Sequence, residues 1–294
     1  MTTLAPAARH THPKLPDGLT LGAVRLRVRD GARSLAFYRD IVGLTPQADR
    51  GDGLIRLGAG DRTLIELEVA PDAAPRPRGT TGLFHVAILV PDRASLAVVL
   101  RRLVEKRVQL GASDHLVSEA LYLDDPDGNG IEIYRDRPRD EWTWQDGEVA
   151  MATEGLDGRG VMSALPAGAG DAPMPAGTVI GHVHLQVGDL AAARRFYVDT
   201  LGMAVTTQSY PGALFVSAGD YHHHLGLNIW QSRGRGPAPE GATGLVHHTV
   251  KLPAAADVEA VAERLKAAGA PVSAIEGGIA SADPWGTRIH VIAG

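Results

Sequence analysis

The chain has 294 residues, 44% of them hydrophobic, with 29 Lys and Arg against 34 Asp and Glu and no cysteine. A formal net charge of −5 without any block of Lys or Arg speaks against nucleic acid as a partner. The missing thiols exclude disulfides, thiolate nucleophiles and Cys-ligated zinc or iron–sulfur centres, so any metal must use His, Asp, Glu or other oxygen ligands.

Residues 1–18 read as an N-terminal tail, broken by Pro6, Pro13 and Pro16 and lacking the apolar stretch of a signal peptide. Nowhere do about 18 apolar residues run together, so no membrane partner and a cytoplasmic location are expected. Val24 to Leu44 (VRLRVRDGARSLAFYRDIVGL) begins a first unit, and Gly82 to Leu103 (GLFHVAILVPDRASLAVVLRRL) a second. Both return later in the chain, as Val183 to Met203 (VHLQVGDLAAARRFYVDTLGM) and Gly244 to Leu265 (GLVHHTVKLPAAADVEAVAERL).

Each unit opens with alternating apolar residues, such as Val183, Leu185 and Val187, whose period of two predicts a half-buried strand. A helix follows. In the second and fourth units its apolar face is Leu96, Val99, Leu100 and Leu103, then Val258, Val261, Ala262 and Leu265, spaced i, i+3, i+4, i+7. Short apolar runs come next, separated by turn clusters such as Asp125-Pro126-Asp127-Gly128-Asn129-Gly130 and Asp283-Pro284-Trp285-Gly286, and predict further strands. The units span about residues 19–70, 80–135, 179–231 and 243–294. A first domain over 19–135, a connector over 136–178 with little regular structure, and a second domain over 179–294 are expected. The fold class is α+β, four tandem βαβββ modules pairing into two curved open barrels, because one such module buries only one face of its sheet.

Four βαβββ modules in this order resemble the vicinal oxygen chelate superfamily of glyoxalase I, bleomycin-resistance proteins and extradiol dioxygenases. The two-domain proteins of the catechol 2,3-dioxygenase type are the most similar. The modules alone imply the fold and leave isomerase, oxygenase and binder open.

Candidate ligands sit on strands. With Val183, Leu185 and Val187 on one face, His182, His184 and Gln186 point to the other. His85 opens the second unit's strand, and Glu132 interrupts Ile131-Glu132-Ile133-Tyr134, where an unpaired buried carboxylate would be costly without a cation. Against the family pattern His85, His182 and Glu132 look like metal ligands, a two-His, one-carboxylate facial triad suited to non-haem Fe(II), with Mn(II) as the alternative ion. The chain departs from the usual arrangement. In the last half the carboxylate position is His290, beside His182 and His247; in the first half the opening position is Ala23, although Glu66, His85 and Glu132 remain. This implies that the second and third modules pair around a metal while the first and fourth form a metal-free barrel. The competing arrangement uses His182, His247 and His290 in the third and fourth modules.

Three features favour ring cleavage. Tyr221-His222-His223-His224-Leu225-Gly226 resembles the dioxygenase segment that supplies an acid/base histidine, the match falling on His223, with His222 and His224 on the other strand face. Gly111-Ala112-Ser113-Asp114-His115-Leu116-Val117-Ser118 ahead of Tyr122 resembles the segment whose His and Tyr touch substrate and oxygen, implying those roles for His115 and Tyr122. A facial triad also leaves adjacent positions for both oxygens of a catechol and for O2. The partners expected are therefore a small aromatic diol and O2, and exposed strand edges allow a homo-oligomer. Tyr38 and Tyr197 are expected to pack helix against sheet. A glyoxalase-like metal-dependent isomerase and a bleomycin-resistance-type binding protein are the alternatives.

Overall fold

The computed structural model describes residues 14–294, so most of the tail expected over 1–18 lies outside the described residues. The first module holds β1 (Thr20–Val28), α1 (Gly31–Ala36), β2 (Thr45–Pro46), β3 (Leu54–Ala59) and β4 (Arg62–Val69). The second holds β5 (Gly82–Leu89), α2 (Arg93–Glu105), β6 (Gly111–Asp114), β7 (Ser118–Asp124) and β8 (Gly130–Asp136). The connector over 136–178 carries only short elements, β9 (Trp144–Gln145), β10 (Glu148–Val149), β11 (Glu154–Gly155) and α3 (Gly158–Ser163). β11 pairs with β6, and Val161 of α3 is buried in the core, so contacts from elsewhere in the chain order this stretch. The third module comprises β12 (Val179–Gln186), α4 (Leu190–Arg194), β13 (Ala204–Thr207), β14 (Ala213–Ser217) and β15 (Leu225–Asn228). The fourth comprises β16 (Gly244–Leu252), α5 (Ala255–Ala267), β17 (Ser273–Ile275), β18 (Gly278–Ala282) and β19 (Arg288–Ala293).

Helix starts follow from the sequence. Asp30, Asp92 and Asp189 each accept a hydrogen bond from a backbone N–H of the first turn, satisfying a donor that has no partner within the helix. In the first and third modules the helix continues as wider π-type turns over Phe37–Val42 and Arg195–Thr200, which the apolar spacing does not disclose. No helix among the described residues is long and apolar enough to cross a membrane.

Two curved sheets result. One runs β17-β18-β19-β16-β1-β4-β3-β2 and joins the first module to the fourth; the other runs β11-β6-β7-β8-β5-β12-β15-β14-β13 and joins the second to the third. The sheets thus pair modules across the chain-order division into 19–135 and 179–294. At each junction two opening strands pair antiparallel, β1 with β16 and β5 with β12, while each opening strand runs parallel to the last strand of its own module. Alternation then sorts the side chains: Val183, Leu185 and Val187, like Val86, Ile88 and Val90, are buried in the apolar core, leaving the other face of β5 and β12 to polar groups.

Tyr38 and Tyr197 do pack as expected, fully buried, and each phenol does more than fill space. Tyr38 donates to Asp125 Oδ2 and Tyr197 to Asp283 Oδ2, both at 3.0 Å, so each ties a helix of one sheet to a turn of the other. Burial pushes both aspartic acids up from the usual carboxylate range.

Candidate metal centre and cavity

β5, β8 and β12 lie side by side in the second sheet, and their register fixes where three side chains meet. His184 lies opposite His85, His182 opposite Ala87, and Ala87 in turn opposite Glu132. From these positions His85 Nε2 and Glu132 Oε2 come within 2.9 Å, His182 Nε2 and Glu132 Oε2 within 3.0 Å, and the two imidazole nitrogens within 3.3 Å. Three donors about 2.1 Å from a common ion and mutually at right angles would be about 3.0 Å apart. The observed separations are of the size that three ligands of one ion would show. All three residues are buried, and this is the cluster among the described residues whose ligand atoms lie close enough to share a metal.

Charge agrees with the geometry. Burial alone would push the Glu132 carboxyl up, but His182 and His85, through charge and hydrogen bonds, outweigh it and hold the group well below the carboxylate range. Burial lowers His182 to about 4, the pull of Glu132 offsetting only part. An ionised carboxylate beside an unprotonated imidazole is the state in which such groups bind a divalent cation.

The cluster forms part of the wall of a cavity of about 910 Å³. His115, Tyr122 and His223 line the same cavity, so the three proposed ligands and the three proposed catalytic residues converge there. His115 sits at the β6–β7 turn, held by Leu116 in a left-handed conformation (φ 69) whose N–H donates to Asp114 Oδ1 at 2.9 Å. Its Nδ1 lies 2.6 Å from the Ala152 carbonyl, which can only accept, so Nδ1 carries the hydrogen. That leaves Nε2 to accept from the Tyr122 hydroxyl at 2.7 Å. Tyr122 faces Glu132 across β7 and β8; burial, then the nearby carboxylate, push its phenol well above 10 and keep it a proton donor.

Tyr221–His224 form no regular strand but a bent approach to β15. His223 reaches the cavity, its ring centroid 4.2 Å from that of His182. Behind it His222 donates from Nε2 to Asp136 Oδ1 at 2.9 Å, and the Nδ1 atoms of His222 and His223 are 2.8 Å apart. With His222 Nδ1 accepting in the uncharged tautomer, His223 Nδ1 carries a hydrogen and its Nε2 keeps a lone pair. Burial, then neighbouring His182 and His222, hold the His223 imidazole well below its ordinary value. His224 turns away and bonds Ser217 Oγ at 2.8 Å.

Several cavity residues were not assigned from sequence. His184, noted only for its strand face, joins Phe84, Phe215, Trp230 and Tyr210 in an aromatic wall; the ring centroids of His184 lie 5.2 Å from Phe84 and 5.4 Å from Trp230. Room for the ring comes from Gly226 on β15, where a Cβ would lie 2.9 Å from the imidazole. The Asp136 support of His222 joins residues 86 positions apart and gives no local signal.

The residues of the competing arrangement lie apart. His247 and His290 belong to the other sheet from His182, with their rings stacked at 3.6 Å. Glu66 is held there by Arg25 at 2.7 Å and Arg56 at 3.1 Å.

Paired βαβββ modules with two imidazoles and a carboxylate on the concave face define a vicinal oxygen chelate protein. The chain belongs to the Glyoxalase/Bleomycin resistance protein/Dioxygenase superfamily, which residues 20–133 and 179–291 match. It is 44% identical over 273 residues to a catechol-2,3-dioxygenase of Bacillus subtilis (strain 168), covering 90% of this chain and 93% of that one. Among solved structures, a provisionally assigned dioxygenase from Bacillus subtilis superposes with a TM-score of 0.65 at 16% identity, covering 95% of this chain and 86% of that one. Glyoxalase I from Zea mays superposes with a TM-score of 0.57 at 18% identity, covering 94% and 92%. These two likenesses concern the fold.

Proposed function

We propose that the protein is an extradiol ring-cleaving dioxygenase that acts on a catechol-type diol with O2 at a single non-haem Fe(II), in the cytoplasm. The observation that carries the reading is the meeting of His85 Nε2, His182 Nε2 and Glu132 Oε2 in a cavity that also holds His115, Tyr122 and His223. The 44% identity to a protein named as a catechol-2,3-dioxygenase, over most of both chains, supports it.

In this reading His85, His182 and Glu132 hold the ion. When bound, Fe(II) supplies chelation of both diol oxygens and a path for electrons from the ring to O2. The rest falls to the protein. His223 Nε2 takes a proton from the diol and returns it later, its tautomer fixed through His222 by Asp136. The Tyr122 hydroxyl and His115 offer a hydrogen-bonded pair in the same cavity that can hold or pass a proton. The carbon–carbon bond beside the diol breaks, both oxygen atoms of O2 enter the product, and the result is a ring-opened semialdehyde. O2 is the oxidant and the ring the reductant, so no further cofactor is needed.

The isomerase reading drew on Glu66 as a ligand with His85 and Glu132. Glu66 lies in the other sheet and is engaged by two guanidinium groups. The test is direct: protein purified without oxygen, its metal measured, then catechol and O2 supplied while oxygen uptake and the yellow product are followed. Stoichiometric uptake with colour is expected of iron-loaded protein; metal without either would overturn the reading.

A further inference from the structure

Resting on the dioxygenase reading, we propose that His223, His222 and Asp136 form a proton outlet from the cavity to the protein surface. The proton taken from the diol leaves for solvent through the protein and comes back by the same route.

Geometry sets both ends of the chain and its middle. His223 lines the cavity, whereas His222 and Asp136 do not. The His222 side chain is fully buried and that of Asp136 is 23% exposed, so the three run from the cavity through a sealed link to water. The Nδ1 atoms of His223 and His222 are 2.8 Å apart, and His222 Nε2 lies 2.9 Å from Asp136 Oδ1, both hydrogen-bond lengths. Trp142, itself buried, covers the link with its ring centroid 5.2 Å from that of His222. Glu132, Tyr134 and Asp136 alternate on one face of β8, so the strand that brings Glu132 to the metal cluster also carries the outer end of the chain. The other side-chain bond to Asp136 leads away from the cavity. Tyr221 donates at 3.3 Å and shares a 2.7 Å bond with Tyr134, and neither phenol lines the cavity.

The transfer balances without leaving charge inside. The diol O–H breaks as His223 gains a hydrogen on Nε2, and the Nδ1–H of His223 passes to Nδ1 of His222. The Nε2–H of His222 passes to Asp136 Oδ1, and Asp136 gives its proton to water. Both imidazoles end uncharged with their tautomers exchanged, and nothing is oxidised or reduced. A proton kept on His223 would instead make a buried imidazolium, which burial penalises. Holding a tautomer does not require a carboxylate: for His115 the Ala152 carbonyl is enough. A carboxylate that reaches water adds the capacity to accept the proton and release it.

The experiment mixes iron-loaded protein with catechol in weak buffer without oxygen, a pH-indicator dye following proton release; oxygen uptake then gives kcat. Asp136→Asn keeps an acceptor for the His222 Nε2–H, and with it the tautomers, but cannot carry the proton. It should slow release and kcat about tenfold or more with metal content unchanged, and added formate, a small carboxylate that reaches the exposed end, should restore much of the loss. His222→Gln should slow both rates as much, and the double variant should be no slower than either single one, because links in series fail together. Tyr221→Phe removes the other side chain bonded to Asp136 and should leave both rates unchanged. Release as fast in Asp136→Asn as in the unaltered protein, losses that multiply in the double variant, or a loss that formate does not restore would overturn the outlet; an equal loss in Tyr221→Phe would make Asp136 a structural residue. No oxygen uptake by the unaltered protein would overturn the dioxygenase reading itself, a result distinct from all of these.

Discussion

The two sheets share one frame, and the contrast between them is sharpest at the positions around the two junctions. Aligned through the repeat and the strand register, His182 corresponds to Ala23, His184 to Arg25, His85 to His247, Glu132 to His290, Tyr122 to Ala280 and Gly226 to Glu66. In one sheet glycine leaves space, imidazoles and an acid converge, and a cavity opens. In the other, Glu66 occupies the place of the glycine, two guanidinium groups neutralise it, and His247 stacks on His290. The backbone therefore supplies the cradle, and the five of these positions that differ decide whether its polar face is closed by an internal ion pair or gathers two imidazoles and a carboxylate at a cavity.

Removing the matching acid and imidazole is the severest way to break that contrast. Glu132→Ala should lower metal affinity by more than about 100-fold and abolish turnover, whereas His290→Ala should leave the metal in place. Metal per chain after gel filtration measures both, and metal lost from His290→Ala would move the centre to the other sheet.

A buried ionic cluster is the next difference. Glu119 on β7 accepts from Arg93 at 2.7 Å and Arg135 at 2.6 Å, where the other sheet has Gly277. Glu119→Ala should cost about 1–3 kcal/mol, read from urea unfolding, because it leaves the largely buried Arg135 without its partner while Arg93 can turn to solvent. Burial pushes this carboxyl up, and the two arginines more than reverse the shift, holding it below its ordinary value. Its stabilisation is therefore complete above the unfolded pKa of about 4.3 and fades as pH falls through the lower folded value; Glu119→Gln should lose that acid limb.

His223→Ala should keep its metal and turn over about 100-fold more slowly, measured by oxygen uptake, while loss of metal would make His223 a ligand. The smallest effect is a gain. His248, the counterpart of Val86, is fully buried with neither ring nitrogen hydrogen-bonded, and burial lowers it to about 3. His248→Val should add about 1–2 kcal/mol of stability. Below about pH 6.5 the unfolded chain binds a proton that the folded His248 refuses until near pH 3, so the variant should also lose less stability to acid over that window.

Much of this was legible in the sequence because it is written in short-range patterns. Period-two strands exposed His182 and Glu132 as polar residues in apolar company, and the absence of an acid at 290 and of a histidine at 23 pointed away from chain-order pairing. What stayed hidden depends on distant segments meeting. The strands and helix within 136–178 are ordered by contacts with β6 and the core, and the aromatic wall draws Phe84 and Trp230 together from different modules. The bent His222–His224 segment follows from Asp136 and Ser217, which no alternation rule contains.

The nesting of one sheet inside the other along the chain sets an order of assembly during synthesis. Every strand that builds the cavity lies before residue 229 and can pair as soon as it leaves the ribosome. β1 is made first and can pair with β4, but its other edge must wait for β16 near the far end of the chain. The sheet that carries the cavity is thus the part that can close earliest, and the outer sheet is left most exposed to wrong partners while it waits.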